Sequence, residues 1–236
     1  MEIIDALTFI GNTVYWRFSA EDLVKRMDAN GISRAVTTPA PPGPNYSEPN
    51  LAVRDAVNKH PDRLIGFYRV NPHYGDPVLR EAETAVLSWG FKGFMLDPTN
   101  DAYGIGMRIV EGTMELARRL KVPVYYHTGD SIFCPPESVG EIARLYPRVP
   151  VMMHISPAAV REARHYDNTV LTTGPIGGPG TLDRAPDTVD MKRFVFSSLV
   201  PIGHPELELR CFQHCVLPER DKQRVLSDNV NALLRL

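Results

Sequence analysis

Short apolar runs rich in Val, Ile, Phe and Tyr alternate along this chain with segments whose apolar residues recur every three or four positions. The runs Ile3–Ala6, Ala35–Thr38, Leu64–Val70, Gly93–Leu96, Val122–His127, Val151–His154, Thr169–Thr172 and Phe194–Ser197 read as eight strands. Most are apolar on consecutive positions, as strands buried on both faces are. Ser19 ahead of Ala20-Glu21-Asp22-Leu23 predicts a helix with an N-cap and an acidic first turn, and Gly31 after Asn30 predicts its end. Further helices are expected over Asp76–Ser88, Ile105–Leu120, Glu137–Leu145, Ala158–Tyr166 and Glu206–Val216. A closing helix over Glu219–Leu236 presents Val225, Leu226, Val230, Leu233 and Leu234 on one face.

Alternating strands and helices require a parallel sheet, and eight repeats favour closure into a (β/α)8 TIM barrel over an open sheet. No Gly-x-Gly-x-x-Gly or Walker-type loop follows any strand, which removes the main support for an open nucleotide-binding sheet. No linker, repeat or low-complexity tract interrupts the rhythm, so residues 1–236 read as a single domain. Two stretches break the pattern. Pro39–Pro49 is too rich in proline to be helical, and Gly174–Pro186 points to a seventh repeat without a proper helix. Both follow strands, on the face where barrels of this kind build their sites.

Composition narrows the function classes. With 26 basic and 28 acidic residues and a formal charge of −2, the chain carries no basic patch for nucleic acid or an anionic membrane surface. Three cysteines, Cys134, Cys211 and Cys215, make no disulfide framework and suit a reducing compartment. Cys211 and Cys215 flank His214, but their spacing of four fits helix packing better than a metal clip. The start, Met1-Glu2-Ile3-Ile4-Asp5, lacks the basic and long apolar regions of a signal peptide, so a soluble cytoplasmic protein is expected.

Candidate chemistry gathers at strand ends. His127 closes Val122–His127, His154 closes Val151–His154, and Asp97 follows Gly93–Leu96. Three consecutive strands thus bring one carboxylate and two imidazoles to one rim. That donor set suits a divalent metal, zinc or manganese, or acid–base catalysis without a metal. The competing reading has Asp97 capping the Pro98 turn and both histidines hydrogen-bonded inside a filled barrel, with no cofactor. Asp130, Ser197 and His204 are candidate substrate-binding residues on the same rim, with His73 nearby, and Asp5 is a structural carboxylate on the first strand.

Several segments together resemble the amidohydrolase superfamily, in the branch related to aminocarboxymuconate-semialdehyde decarboxylase. Residues 3–11, Ile-Ile-Asp-Ala-Leu-Thr-Phe-Ile-Gly, look like its opening Ile-Asp-x-His-x-His-x-Gly strand. Gly90-Phe91-Lys92-Gly93 through Pro98 resembles its fourth strand, and Val122–Gly129 and Val149–His154 resemble the fifth and sixth. Arg193–Pro201 parallels Arg-x-x-Phe-Gly-Ser-Asp-x-Pro, and the tail Leu226–Leu234 resembles the closing Asn-Ala-x-x-Leu helix. The resemblance implies a barrel with a metal-dependent hydrolase or decarboxylase site. Yet Leu7 and Phe9 stand where it has two histidines, Leu199 where it has the metal-binding aspartate, and Met95 where some members have lysine. Only His127 and His154 match the metal and acid–base set.

Apolar side chains supply no lone pairs and exclude water, so the expectation is a barrel that has lost the inherited hydrolysis. It would be a non-hydrolytic binding or partner subunit, binding a small molecule at the barrel mouth, as a homo-oligomer or beside an active homologous subunit. The alternative is a divergent metal-dependent hydrolase or decarboxylase of a small carboxylated or cyclic substrate, using Asp97, His127 and His154.

Overall fold

The computed structural model describes residues 2–128, 132–174 and 179–236. Its chain order is β1 (Ile4–Asn12), β2 (Arg17–Phe18), α1 (Ala20–Ala29), β3 (Arg34–Pro39), α2 (Ser47–Lys59), β4 (Leu64–Arg69), α3 (Asp76–Ser88), β5 (Gly93–Leu96), α4 (Met107–Leu120) and β6 (Val124–Tyr126). There follow α5 (Pro136–Leu145), β7 (Val151–His154), α6 (Pro157–His165), β8 (Thr169–Thr172), α7 (Pro179–Arg184), β9 (Phe194–Val195), α8 (Pro205–Gln213), α9 (Glu219–Gln223) and α10 (Asn229–Leu234). The strands run in the order β2-β1-β3-β4-β5-β6-β7-β8-β9, all neighbours parallel except the β1–β2 hairpin.

Backbone hydrogen bonds join the two ends of that sheet. Ala6 N–H donates to Phe196 O (2.8 Å), Phe9 N–H to Val200 O (2.8 Å) and Leu199 N–H to Leu7 O (3.1 Å). The eight parallel strands therefore close into the expected TIM barrel. The hairpin strand β2 is an addition that the sequence pattern did not suggest. It forms because Thr13 Oγ1 accepts the N–H groups of Tyr15 (3.3 Å) and Trp16 (3.1 Å), turning the chain back on itself.

Side-chain alternation sorts the core into two layers. Val36, Ile65, Phe67, Met95, Tyr125, Met152, Val170, Val195 and Leu199 fill the barrel interior as one cluster. Their neighbours along each strand, among them Ala35, Leu64, Phe94, Val124, Val151 and Phe194, join the helices in a second, outer cluster. Period-two alternation sends consecutive strand residues to opposite faces, so two apolar faces demand unbroken apolar runs. Gly93 makes room inside the barrel: a Cβ there would lie 2.5 Å from the tip of the Phe67 ring. The side chain of Phe67 fills the space that Gly93 leaves open.

The helices follow their end signals. Ser19 and Asp22 form a reciprocal capping box at α1, and Pro136, Pro157 and Pro205 open α5, α6 and α8 from their first turns. One expectation fails. The proline-rich stretch was expected to remain non-helical as far as Pro49, yet α2 begins at Ser47. Pro49 lies in the first turn, where its missing N–H has no intrahelical acceptor to lose. The inward face of α2, Asn50, Val53 and Ala56, is too weakly apolar to announce a helix. Among the described residues, the seventh repeat holds the six-residue α7 and short 3-10 turns over Ala185–Asp187 and Met191–Arg193. The closing helix is continuous but contains a π segment, Arg224–Asp228, between α9 and α10.

Candidate active site at the barrel mouth

Continuing the inward alternation of the strands by one step carries polar residues to the carboxyl-terminal rim. Ile65 and Phe67 are followed by Arg69, Met95 by Asp97, Tyr125 by His127, Met152 by His154, and Val195 by Ser197. Four consecutive strands, β4 to β7, thus deliver an arginine, an aspartate and two histidines in a row. The parallel register pairs Arg69 with Met95, Leu96 with Tyr126 and Tyr126 with Met153, which sets these ends side by side.

The first two members form an ion pair out of contact with water. Arg69 is fully buried and its Nη2 donates to Asp97 Oδ2 at 2.8 Å, with Asp101 Oδ1 further away at 3.4 Å. Its Nη1 donates to Pro39 O (3.3 Å), and the guanidinium lies 4.3 Å from the centroid of the Tyr46 ring. Tyr46 donates its hydroxyl hydrogen to Asp101 Oδ1 (2.6 Å) and accepts from Gly43 N–H (3.1 Å), tying the segment after β3 to the end of β5. Asp97 has no free oxygen: Oδ2 also takes Asn100 Nδ2–H (2.8 Å) and Oδ1 takes Asn100 N–H (3.2 Å). Burial pushes the Asp97 carboxyl up, but Arg69 and His127 outweigh it and hold it below the usual carboxylate range. At Asp101 burial wins over Arg69 and Tyr46, and its carboxyl is raised to about 6.

The histidines are half-buried at the mouth. Burial lowers the pKa of His127, the nearby Asp97 opposes that, and Arg69 adds to it, so the imidazole is neutral near pH 7. Its Nδ1 has no hydrogen-bond partner among the described residues. The ring meets Phe9 edge-on, with centroids 6.4 Å apart, and tilts against Tyr125 at 6.3 Å. His154 is placed by its own backbone, whose N–H donates to Thr128 Oγ1 (3.0 Å).

The three positions that the resemblance marked as apolar replacements are closed to solvent. Leu7, Phe9 and Leu199 have no exposed surface and belong to the interior cluster. Leu199 also holds a left-handed backbone, φ 54°, that costs a leucine about 1–2 kcal/mol and that aspartate adopts more readily. Asp97 is already engaged by Arg69 and Asn100, beside the two imidazoles. Among the described residues no group of three or more His, Cys, Asp or Glu side chains is arranged to hold a metal ion. Among these described residues, the donor set does not complete a divalent metal centre.

The remaining candidates are scattered. Ser197 is fully buried, its hydroxyl without a partner among the described residues. His204 is exposed at the N-cap of α8, where its carbonyl accepts from Leu207 and Glu208. His73 is exposed and packs edge-on against Tyr103 at 5.7 Å. Asp130 lies outside the described residues. Asp5 is structural as expected: it accepts from Ser198 N–H (3.0 Å), Ser198 Oγ–H (2.5 Å) and Leu7 N–H (3.2 Å), clamping β1 to the segment after β9. Arg69, Tyr46 and Asp101 were not among the candidates. The available signal was the charge of Arg69 at an inward position two residues beyond Phe67.

A closed parallel barrel with polar groups at its carboxyl-terminal rim is an enzyme-type scaffold. The model of one such family, described as Amidohydrolase, matches residues 11–236. The chain belongs to the amidohydrolase family. No curated protein matches it. Among solved structures, it resembles 5-carboxyvanillate decarboxylase from Novosphingobium aromaticivorans, complexed with manganese and a nitrobenzoic acid, at 15% identity, TM-score 0.81, over 99% of this chain and 96% of that one. It also resembles 2,6-dihydroxybenzoate decarboxylase from Rhizobium, at 15% identity, TM-score 0.80, over 99% and 98% of the two chains. A third is a dihydroxybenzoic acid decarboxylase from Polaromonas with manganese and 2-nitroresorcinol, at 16% identity, TM-score 0.79, over 100% and 97%. At these identities the likeness is one of fold. No helix among the described residues is long and apolar enough to cross a membrane.

Proposed function

We propose that this protein is a divergent decarboxylase of a small carboxylated ring compound, with His127 as its proton-handling group. The observation that carries the reading is the row Arg69, Asp97, His127 and His154 on four consecutive strands. In it, a neutral imidazole, its Nδ1 without a partner among the described residues, lies within electrostatic reach of a carboxylate held ionised by a buried arginine. Family membership and the decarboxylases sharing the fold support the reaction class.

In such a reaction the bond from ring carbon to carboxylate breaks, CO2 leaves, and a proton takes its place on the ring. His127 collects that proton from a ring hydroxyl or from solvent and delivers it to carbon. Asp97 stabilises the imidazolium formed in between, and Arg69 keeps Asp97 ionised and oriented. A positioned acid–base group of this kind contributes about 10²–10⁴-fold to the rate. Two of the solved structures with this fold hold manganese, and no step is assigned to a metal.

The reading as a non-catalytic binding or partner subunit draws on one observation, the complete burial of Leu7, Phe9 and Leu199. The two are separated by incubating the purified protein with a panel of hydroxylated benzoates and pyridine carboxylates, with and without added manganese, and measuring CO2. Release from at least one acid supports the decarboxylase. Silence across the panel in both conditions leaves the binding subunit as the better account.

A further inference from the structure

A concave surface shares Tyr46 and Asp101 with the Arg69 network. It is a crevice of about 1490 Å³ between the β1–β2 hairpin, the segment after β3, the start of α2 and the turns after β4 and β5. His127 and His154 do not line it. Ile10, Phe18, Ala40, Pro42, Tyr46 and Ala52 give it largely apolar walls. We propose that this crevice is a binding site for an organic anion with an apolar body and one carboxylate, and that Arg17 takes the carboxylate.

Charge is what selects the ligand class. Arg17 lines the crevice from β2 and is exposed, and its guanidinium makes no hydrogen bond or ion pair with the described residues. Most other charges around the crevice are committed. Asp22 is held in the α1 capping box by Ser19, and Asp101 by Tyr46 and Arg69. Glu48 stands exposed in the first turn of α2. An unpaired guanidinium at the edge of an apolar hollow matches a carboxylate through two parallel hydrogen bonds, while the apolar body gains from leaving water.

The walls differ in rigidity. Tyr46 bonds both Gly43 N–H and Asp101, and its ring sits where a Cβ on Gly43 would approach to 3.1 Å, so the α2 side is tightly fitted. The opposite wall is a two-stranded hairpin whose tip leaves Val14 85% and Tyr15 75% exposed. Apolar groups at such a tip have a use when a ligand brings further apolar surface to the crevice.

The test does not depend on the proposed reaction, because an inactive protein would bind equally well. The probes are 1-naphthoate and its neutral analogue 1-naphthalenemethanol, titrated into the ¹⁵N-labelled protein and followed by amide chemical shifts. The proposal expects shifts concentrated at residues 10–20, 40–52 and 71–74, with naphthoate binding at least tenfold more tightly than the alcohol. Arg17→Gln should abolish that tenfold preference and leave alcohol binding intact, whereas Ala52→Trp, at an exposed crevice position, should weaken both probes. Shifts lying elsewhere, equal affinity for acid and alcohol, or unchanged naphthoate affinity in Arg17→Gln would each overturn it.

Discussion

Replacing Arg69 by Met removes the one positive charge that two buried carboxylates share. The side chains of Arg69 and Asp101 are 0% exposed and that of Asp97 is 1% exposed, so water cannot take over the lost partner. Truncating one member of a buried pair costs about 3–5 kcal/mol, because the surviving charge stays desolvated. Methionine keeps an unbranched apolar side chain but loses the guanidinium over the Tyr46 ring and all three hydrogen bonds to Asp97, Asp101 and Pro39. A loss of that size is a large share of the roughly 5–15 kcal/mol that holds a domain together. It corresponds to a fall in Tm of about 6–20 °C for a chain of this length. Urea unfolding at pH 7, followed by circular dichroism, reads the difference directly. Its pH dependence adds a second check. Asp97 has a lowered pKa in the folded protein, so its contribution is present above the unfolded carboxylate value and disappears as pH falls through the folded one. Without Arg69 the same carboxyl is protonated at higher pH, and the deficit of the variant should shrink between pH 7 and pH 5. A variant within 1 kcal/mol of the parent at pH 7, or a deficit that grows on acidification, would refute this account of the network.

Asp5 should show the opposite pH behaviour. Burial raises its carboxyl from 3.8 to about 7 against three hydrogen bonds that favour the anion. The folded state therefore holds a proton that the unfolded chain has released. Stability falls as pH rises from about 4 to about 7, by an amount of order 4 kcal/mol, and Asp5→Asn should flatten that slope in unfolding titrations. Gly93→Ala places a methyl 2.5 Å from Phe67 inside the barrel and should lower stability by about 1–3 kcal/mol, while Gly31→Ala, with nothing within 4 Å but φ +66°, tests backbone strain alone. Both are read by thermal unfolding.

The barrel was legible because each strand is buried on two faces, which forces continuous apolar runs, and because Ser19 marks the start of α1 by local chemistry. The start of α2 was not legible, since Pro49 reads as a breaker until its place in the first turn is known. The hairpin strand β2 escaped for a related reason: two residues, Arg17 and Phe18, carry no periodicity. At the rim, the sequence indicated Asp97, His127 and His154 by their positions after apolar runs. The local bonds of Asp97 to Asn100 fit the turn-capping reading, but the pairing with Arg69, 28 residues away, was not indicated. The apolar character of positions 7, 9 and 199 was plain in the sequence; their full burial, and the edge-on contact of Phe9 with the His127 ring, are properties of the closed barrel.

The most direct measurement compares CO2 release by the parent protein and by His127→Ala on the same carboxylated ring compounds, with circular dichroism confirming that both are folded. The account predicts turnover by the parent and a loss of about 10²–10⁴-fold in the variant. Equal rates in the two proteins would contradict it.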